Sequence, residues 1–239
     1  LAITVYDGSR FFGSQIQPDT KETVMGRFGD ALRSIGIMAI PQASGRTDSG
    51  VHAICQPIAF DVPQYWESEL EKLKVHLNHK LAPYIKIKKI TPVSDEFHPR
   101  FHAKKRVYRY AVKVCGHDPF LSDYMTFVKS LDVEKVEEAI KLFEGIHDFS
   151  FFKKNGSEEK SSVRQIYKTS LYRHKDIYIF RFEANSFLRS QIRLMMGALL
   201  DISDGKITKE QLQEQIDVKK RYTVRIAPPS GLYLSKVVY

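Results

Sequence analysis

Ser44-Gly45-Arg46-Thr47-Asp48-Ser49-Gly50-Val51-His52-Ala53 holds one carboxylate between two glycines, with an arginine two residues before it. Glycine lets a backbone take turns that a residue with a Cβ resists, so the pattern predicts a loop that aims Asp48 into a cleft. Outward from this loop the chain alternates strands and helices. Residues 1–6 read as a strand and 23–35 as an amphipathic helix with Val24, Phe28, Leu32 and Ile35 on one face, closed by Gly36 and weakened by Gly26 and Gly29. A strand over 55–62 leaves the loop, Trp66, Leu70, Leu73 and Leu77 mark a second helix, and 85–90 reads as a strand. From Arg106 the order recurs: a strand over 107–114, a helix over 133–144 between Asp132 as N-cap and Gly145 as C-cap, and strands over 167–172 and 177–183. Helices over about 187–202 and 209–215 and a closing strand over 232–238 complete it. The expected class is α+β, two halves with largely antiparallel sheets and helices on one face, divided near Phe101 into 1–101, which carries the loop, and 102–239. No clear repeat supports a duplication.

The balance of 37 Lys+Arg against 28 Asp+Glu, a formal charge of +9, points to an anionic partner. Nucleic acid fits better than a membrane, because no apolar run approaches the roughly 18 residues that a span needs. With 43% apolar residues the chain can bury a sizeable core, and disordered and collagen-like classes are excluded. Cys55 and Cys115 form no CxxC pair and no secretory signal precedes them, so two buried thiols and a reducing, cytoplasmic setting are expected. The chain starts at Leu1, so an initiator segment is expected to be missing.

Between His98 and Lys113 lie Arg100, Lys104, Lys105, Arg106, Arg109 and Lys113 without one acidic residue, interleaved with Phe101, Tyr108 and Tyr110. Such a stretch is a phosphate-tracking surface with stacking groups, or else a solvated edge strand. Alternation along the strand puts Arg106, Tyr108 and Tyr110 on one face and Val107, Arg109 and Ala111 on the other. A second basic cluster, Lys219, Lys220, Arg221 and Arg225, falls in a loop. Asp48 has no carboxylate beside it, so paired-acid and two-metal chemistry lack their second member. A lone carboxylate can act as a nucleophile or stabilise a cationic sugar, given an arginine that keeps it charged. Arg46 is the nearest candidate in sequence; Arg193, set among Ile192, Leu194, Met195 and Met196, is the other.

Gly45 through Ala53 resembles the catalytic signature of the TruA family of tRNA pseudouridine synthases. Tyr6-Asp7-Gly8, Phe97-His98-Pro99-Arg100-Phe101 leading into Arg106-Val107-Tyr108-Arg109-Tyr110, Gly145-Ile146-His147-Asp148-Phe149, Asn185-Ser186-Phe187 through Arg193, and Gly231-Leu232-Tyr233-Leu234 resemble further family blocks, in family order. The resemblance implies the pseudouridine synthase fold, with two subdomains meeting at a central cleft. It implies that the N1–C1′ bond of a uridine is broken, the uracil turned and C5 joined to C1′, without cofactor or metal. Asp48 is then the catalytic carboxylate, Arg193 its ion-pair partner, and Tyr108 a stacking group that can move a proton. Arg46 displaces the target nucleotide, Leu232 closes the pocket, and Arg106 and His52 join the substrate-binding set. The substrate implied is the anticodon stem-loop of tRNA at positions 38–40, bound by a homodimer. Two positions depart from the pattern: Ser14 stands where members usually carry tryptophan, and Ser49 where alanine is commoner.

His98 and His102 have a zinc-like spacing, but Pro99 between them favours a turn and argues against a metal. His52 reads by itself as a structural hydrogen-bonding residue. Of the rival readings, a non-catalytic RNA-binding module leaves the acidic side chain of the loop unexplained, and a metal-dependent nuclease predicts strand scission that a chelator abolishes.

Overall fold

The computed structural model describes residues 1–114, 116–154, 156 and 161–239; Cys115 lies outside them. The chain divides into two compact units, Leu1–Lys104 with Tyr233–Tyr239, and Lys105–Leu232. The sequence reading assigned everything after 101 to one half. The last seven residues, Tyr233–Tyr239, go instead with the first unit.

In the first unit, β1 (Ala2–Tyr6), α1 (Val24–Arg33), β2 (Gln42–Ala43), β3 (His52–Ala59), α2 (Gln64–Glu67), α3 (Leu70–Leu81) and β4 (Ile85–Ile90) are joined by β10 (Leu232–Val238). The sheet order is β4-β1-β3-β10, with β2 on β3. β1 runs antiparallel to both neighbours, whereas β10 lies parallel to β3 through Tyr233 opposite His52 and Leu234 opposite Ala53. Ala2, Thr4 and Tyr6 alternate into the core along β1. On α1, Val24, Phe28 and Leu32 are buried, the Thr23 hydroxyl caps the Gly26 N–H, and Gly36 closes the helix at φ +80°. Gly26 is needed: a Cβ there would come within 2.8 Å of the Lys21 carbonyl. The second expected helix is two, because Glu69 leaves helical dihedrals (φ −120°, ψ 31°). β3 begins at His52, three residues before the apolar run suggested, since a buried histidine opens it.

In the second unit, β5 (Lys105–Val114), β6 (Thr126–Val128), α4 (Val133–Ile140), β7 (Gly145–Asp148), β8 (Val163–His174), β9 (Ile177–Ala184), α5 (Gln191–Ser203) and α6 (Lys209–Ile216) follow in order. The strands run β5-β9-β8-β7, all antiparallel, with β6 parallel to the end of β5. β5 pairs with β9 over Arg106–Lys113 and with β6 over Val112–Val114, so its last residues have a neighbour on each side. Tyr108 opposite Phe182 and Tyr110 opposite Phe180 share one face, and all four are buried. α4 packs on α5 and on β8. Asp132 caps α4 as expected, accepting from Lys135 N, but the α-helix ends at Ile140 with Lys141 as its C-cap, and Gly145 at φ +113° opens β7 instead. α5 starts four residues later than its apolar pattern suggested: Ser190 is left-handed (φ 59°), and the buried Gln191 side chain accepts the Leu188 N–H at 2.8 Å. α6 opens with a capping box between Thr208 and Gln211.

Candidate active site

Asp48 lies half-buried in the loop between β2 and β3. The residue before it has every polar atom engaged. Thr47 N donates to Ser14 Oγ at 2.8 Å, Ser14 N donates to Thr47 O at 3.1 Å, and Thr47 Oγ1 shares a hydrogen bond with the Tyr6 hydroxyl at 2.8 Å. Beyond Asp48, Val51 N donates to the Asp48 carbonyl at 3.1 Å, closing a turn through Gly50 at φ +78°. Ser49 Oγ donates to the Phe11 carbonyl at 3.2 Å, and Gln56 Nε2 to the Gly45 carbonyl at 3.1 Å. The backbone that carries the carboxylate is therefore fixed on both sides.

Only one of the two framing glycines is required by this geometry. Gly50 has a positive φ, whereas Gly45 has neither a positive φ nor any atom within 4 Å of a Cβ placed there. The close approach is made by the opposite loop: a Cβ on Gly8 would stand 2.0 Å from the Val51 carbonyl oxygen, and one on Gly13 (φ +90°) 3.0 Å from that of Thr47. Tyr6, Gly8, Gly13 and Ser14 thus hold the site, a role the sequence reading did not assign to them. Two glycines five residues apart after the first strand were the available signal.

Arg46 is exposed and makes no hydrogen bond or ion pair among the described residues. His52 is 2% exposed, its Nδ1 accepts the Gly8 N–H at 3.0 Å, and its ring stacks on Tyr233 at 4.7 Å. That is the structural role its sequence context suggested.

The remaining candidates lie in the second unit. Tyr108 on β5 is 8% exposed, with its ring edge-on to Phe187 at 5.3 Å. Arg193 stands in the first turn of α5 and is bracketed by Ala227: its Nε donates to the Ala227 carbonyl, and Ala227 N donates to its own carbonyl, both at 2.9 Å. The segment around Ala227 is itself fastened to α5. Arg225 Nη1 reaches Asp201 at 2.9 Å and Asp204 at 2.7 Å, and Gly197 leaves room for the Arg225 backbone, whose oxygen would be 1.9 Å from a Cβ there. Burial would raise the Asp204 carboxyl, but Arg225 and Lys206 outweigh it and hold it below its ordinary range. Tyr110, fully buried, donates to the Pro228 carbonyl at 2.7 Å and meets Thr126 Oγ1 at 2.6 Å. Burial pushes its hydroxyl well above the ordinary tyrosine range, against the pull of Thr126 and the charges of Arg193 and Arg225. Leu232 is 6% exposed, and its N–H donates to the Pro229 carbonyl at 2.9 Å.

The basic run on β5 is not the continuous phosphate surface that its charge suggested. Arg106 is buried with Nη1 on the Asn185 carbonyl at 2.8 Å, Lys105 pairs with Glu183 at 2.7 Å and Lys113 with Asp176 at 2.9 Å. Arg109 alone among the basic residues of β5 is exposed without such a partner. His98 and His102 serve a turn: His98 Nδ1 accepts from Arg100 N and Phe101 N, and His102 Nδ1 from His98 N. Among the described residues no three of His, Cys, Asp and Glu cluster to hold a metal ion, and no helix is long and apolar enough to cross a membrane.

A family model described as tRNA pseudouridine synthase matches residues 2–102 and 139–239. The chain is 44% identical over 239 residues to a tRNA pseudouridine synthase A of Wolinella succinogenes, covering all of this chain and 94% of that protein. It is 41% identical over 234 residues to one of Campylobacter jejuni, covering 98% and 97%. It is also 41% identical over 238 residues to one of Thermosipho africanus, covering 98% and 96%.

Proposed function

Because the chain belongs to the tRNA pseudouridine synthase family, we propose that it converts uridine to pseudouridine in tRNA, at positions 38–40 of the anticodon stem-loop. Asp48 is the group that acts on the target nucleotide, breaking N1–C1′ so that C5 can join C1′. Arg193 is its cationic partner, with its guanidinium oriented by the Nε bond to Ala227. Tyr108 presents its ring to the flipped uracil, and Leu232 walls the pocket. Arg46 enters the space left by the extruded nucleotide; flipping costs a few kcal/mol, offset by pocket contacts. Arg106 and His52 act from behind, one bracing β5 and the other the start of β3. The enzyme works as a cytoplasmic homodimer.

The observation that carries this reading is a carboxylate held on a rigid loop beside an exposed arginine that makes no hydrogen bond or ion pair among the described residues. Such an arginine is available to RNA phosphate without first breaking an ion pair. The test is to incubate the protein with unmodified tRNA transcripts and map pseudouridine by carbodiimide-dependent reverse-transcription stops. Stops in the anticodon arm that vanish in Asp48→Asn are expected; their absence with every tRNA would overturn the proposal.

A further inference from the structure

We propose that Ser14 and Ser49 are positioning residues that hold Asp48 at its working orientation by hydrogen bonds from either side. Both lie in the loops around that carboxylate, one on each side of it in the hydrogen-bonded framework. The inference rests on the function proposed above and deepens it.

Thr47 is 8% exposed, so its N–H needs an acceptor inside the protein. Ser14 Oγ is that acceptor at 2.8 Å. A side chain that only donates, such as tryptophan, could not take this part. Ser14 is itself 2% exposed and fully engaged: its N–H meets the Thr47 carbonyl at 3.1 Å, and its carbonyl takes Met25 N at 2.9 Å. With Gly13 O accepting Val24 N at 3.2 Å, two of the N–H groups that a helix start leaves unpaired are satisfied here. A continuous hydrogen-bonded path therefore runs from the first turn of α1 through Ser14 to Thr47, and ends one residue before Asp48. On the other side, Ser49 Oγ donates to Phe11 O at 3.2 Å, tying the residue after Asp48 to the same first loop. Removing either hydroxyl leaves the carboxylate chemically intact and its direction less well defined.

The test measures kcat, KM and melting temperature on a tRNA transcript for Ser14→Ala, Ser49→Ala and Ser49→Thr. Ser49 is exposed, so its variants are expected to fold even where loss of the buried Ser14 hydroxyl unsettles the loop. Each alanine variant is expected to lower kcat on the order of 3–30-fold, as a small misplacement of a reacting group does, with KM within twofold. Ser49→Thr, which keeps the hydroxyl, should stay within twofold of the parent. Parental kcat in both alanine variants overturns the inference, as does a loss confined to KM, a loss that follows the folded fraction alone, or failure of threonine to preserve the rate. If the parent makes pseudouridine and Asp48→Asn does not, any of those outcomes sinks the positioning role alone. If the parent makes none, both proposals fall.

Discussion

Gly8→Ala is expected to damage the Asp48 loop through sterics alone, since Gly8 has no positive φ and alanine suits its backbone. The new Cβ would stand 2.0 Å from the Val51 carbonyl oxygen, 2.4 Å from its carbon and 3.0 Å from His52 N. All three are backbone atoms, so no side-chain rotation relieves the overlap. To reach ordinary contact the two segments must part by about 1–1.5 Å, a strain of the overpacking kind worth about 1–3 kcal/mol. The parting opens the 3.0 Å bond from Gly8 N to His52 Nδ1 and drags the turn that begins at Asp48. For a chain of this size such a loss lowers Tm by about 2–12 °C, and a displacement of about 1 Å near the reacting groups costs on the order of 100-fold in rate. The assay pairs thermal unfolding with single-turnover pseudouridine formation well below the transition. Gly45→Ala serves as control, because its Cβ meets nothing within 4 Å, and its melting temperature should match the parent. A Gly8→Ala protein with parental Tm and rate would refute the view that the missing Cβ is what lets the first loop approach.

Arg46→Gln should leave the melting temperature within about 1 °C, because no hydrogen bond or ion pair among the described residues is lost, while tRNA turnover falls and the salt dependence of tRNA affinity becomes shallower. An unchanged slope of affinity against salt would remove Arg46 from the phosphate contacts. Arg225→Met takes the nearer cation from Asp201, whose side chain is 8% exposed and keeps Lys206 at 3.6 Å and the Thr223 hydroxyl, and is expected to cost about 1–3 kcal/mol in urea unfolding, less than a fully buried pair because Arg225 is 35% exposed. Tyr110→Phe abandons the Pro228 carbonyl and should cost about 1–3 kcal/mol at neutral pH. Because burial raises the Tyr110 pKa above its ordinary 10.0, its stabilising share is intact below pH 10 and lost as pH climbs beyond it, so the phenylalanine variant should show a shallower alkaline loss of stability. An identical alkaline limb in both proteins would contradict the assignment.

The long elements were legible wherever side chains repeat with the backbone period, as along β1, α1 and β4. Three-residue β6 and the largely exposed β7 carry no such period and were missed. The starts of β3 and α5 shifted because buried polar residues, His52 and Gln191, define them, and hydropathy does not register a satisfied polar group. The loop of Asp48 announced itself in sequence, whereas its supports did not: Ser14 and Thr47, or Gly8 and Val51, meet across more than 30 positions with no local sign of the contact. The charge of β5 misled for a related reason. Its counter-charges, Glu183 on β9 and Asp176 in the β8–β9 turn, are neighbours only once the strands pair.

The parallel pairing of β10 with β3 sets an order of assembly. His52 and Tyr233 are neighbours in the sheet yet stand 181 positions apart in sequence, so the unit that carries Asp48 cannot complete its sheet until the second unit has been translated. At common ribosome speeds that interval is roughly 10–35 s, during which the nascent β3 exposes an unpaired flank and the carboxylate loop waits on an unfinished scaffold. Premature termination within β10 would leave that flank of β3 permanently without its parallel partner.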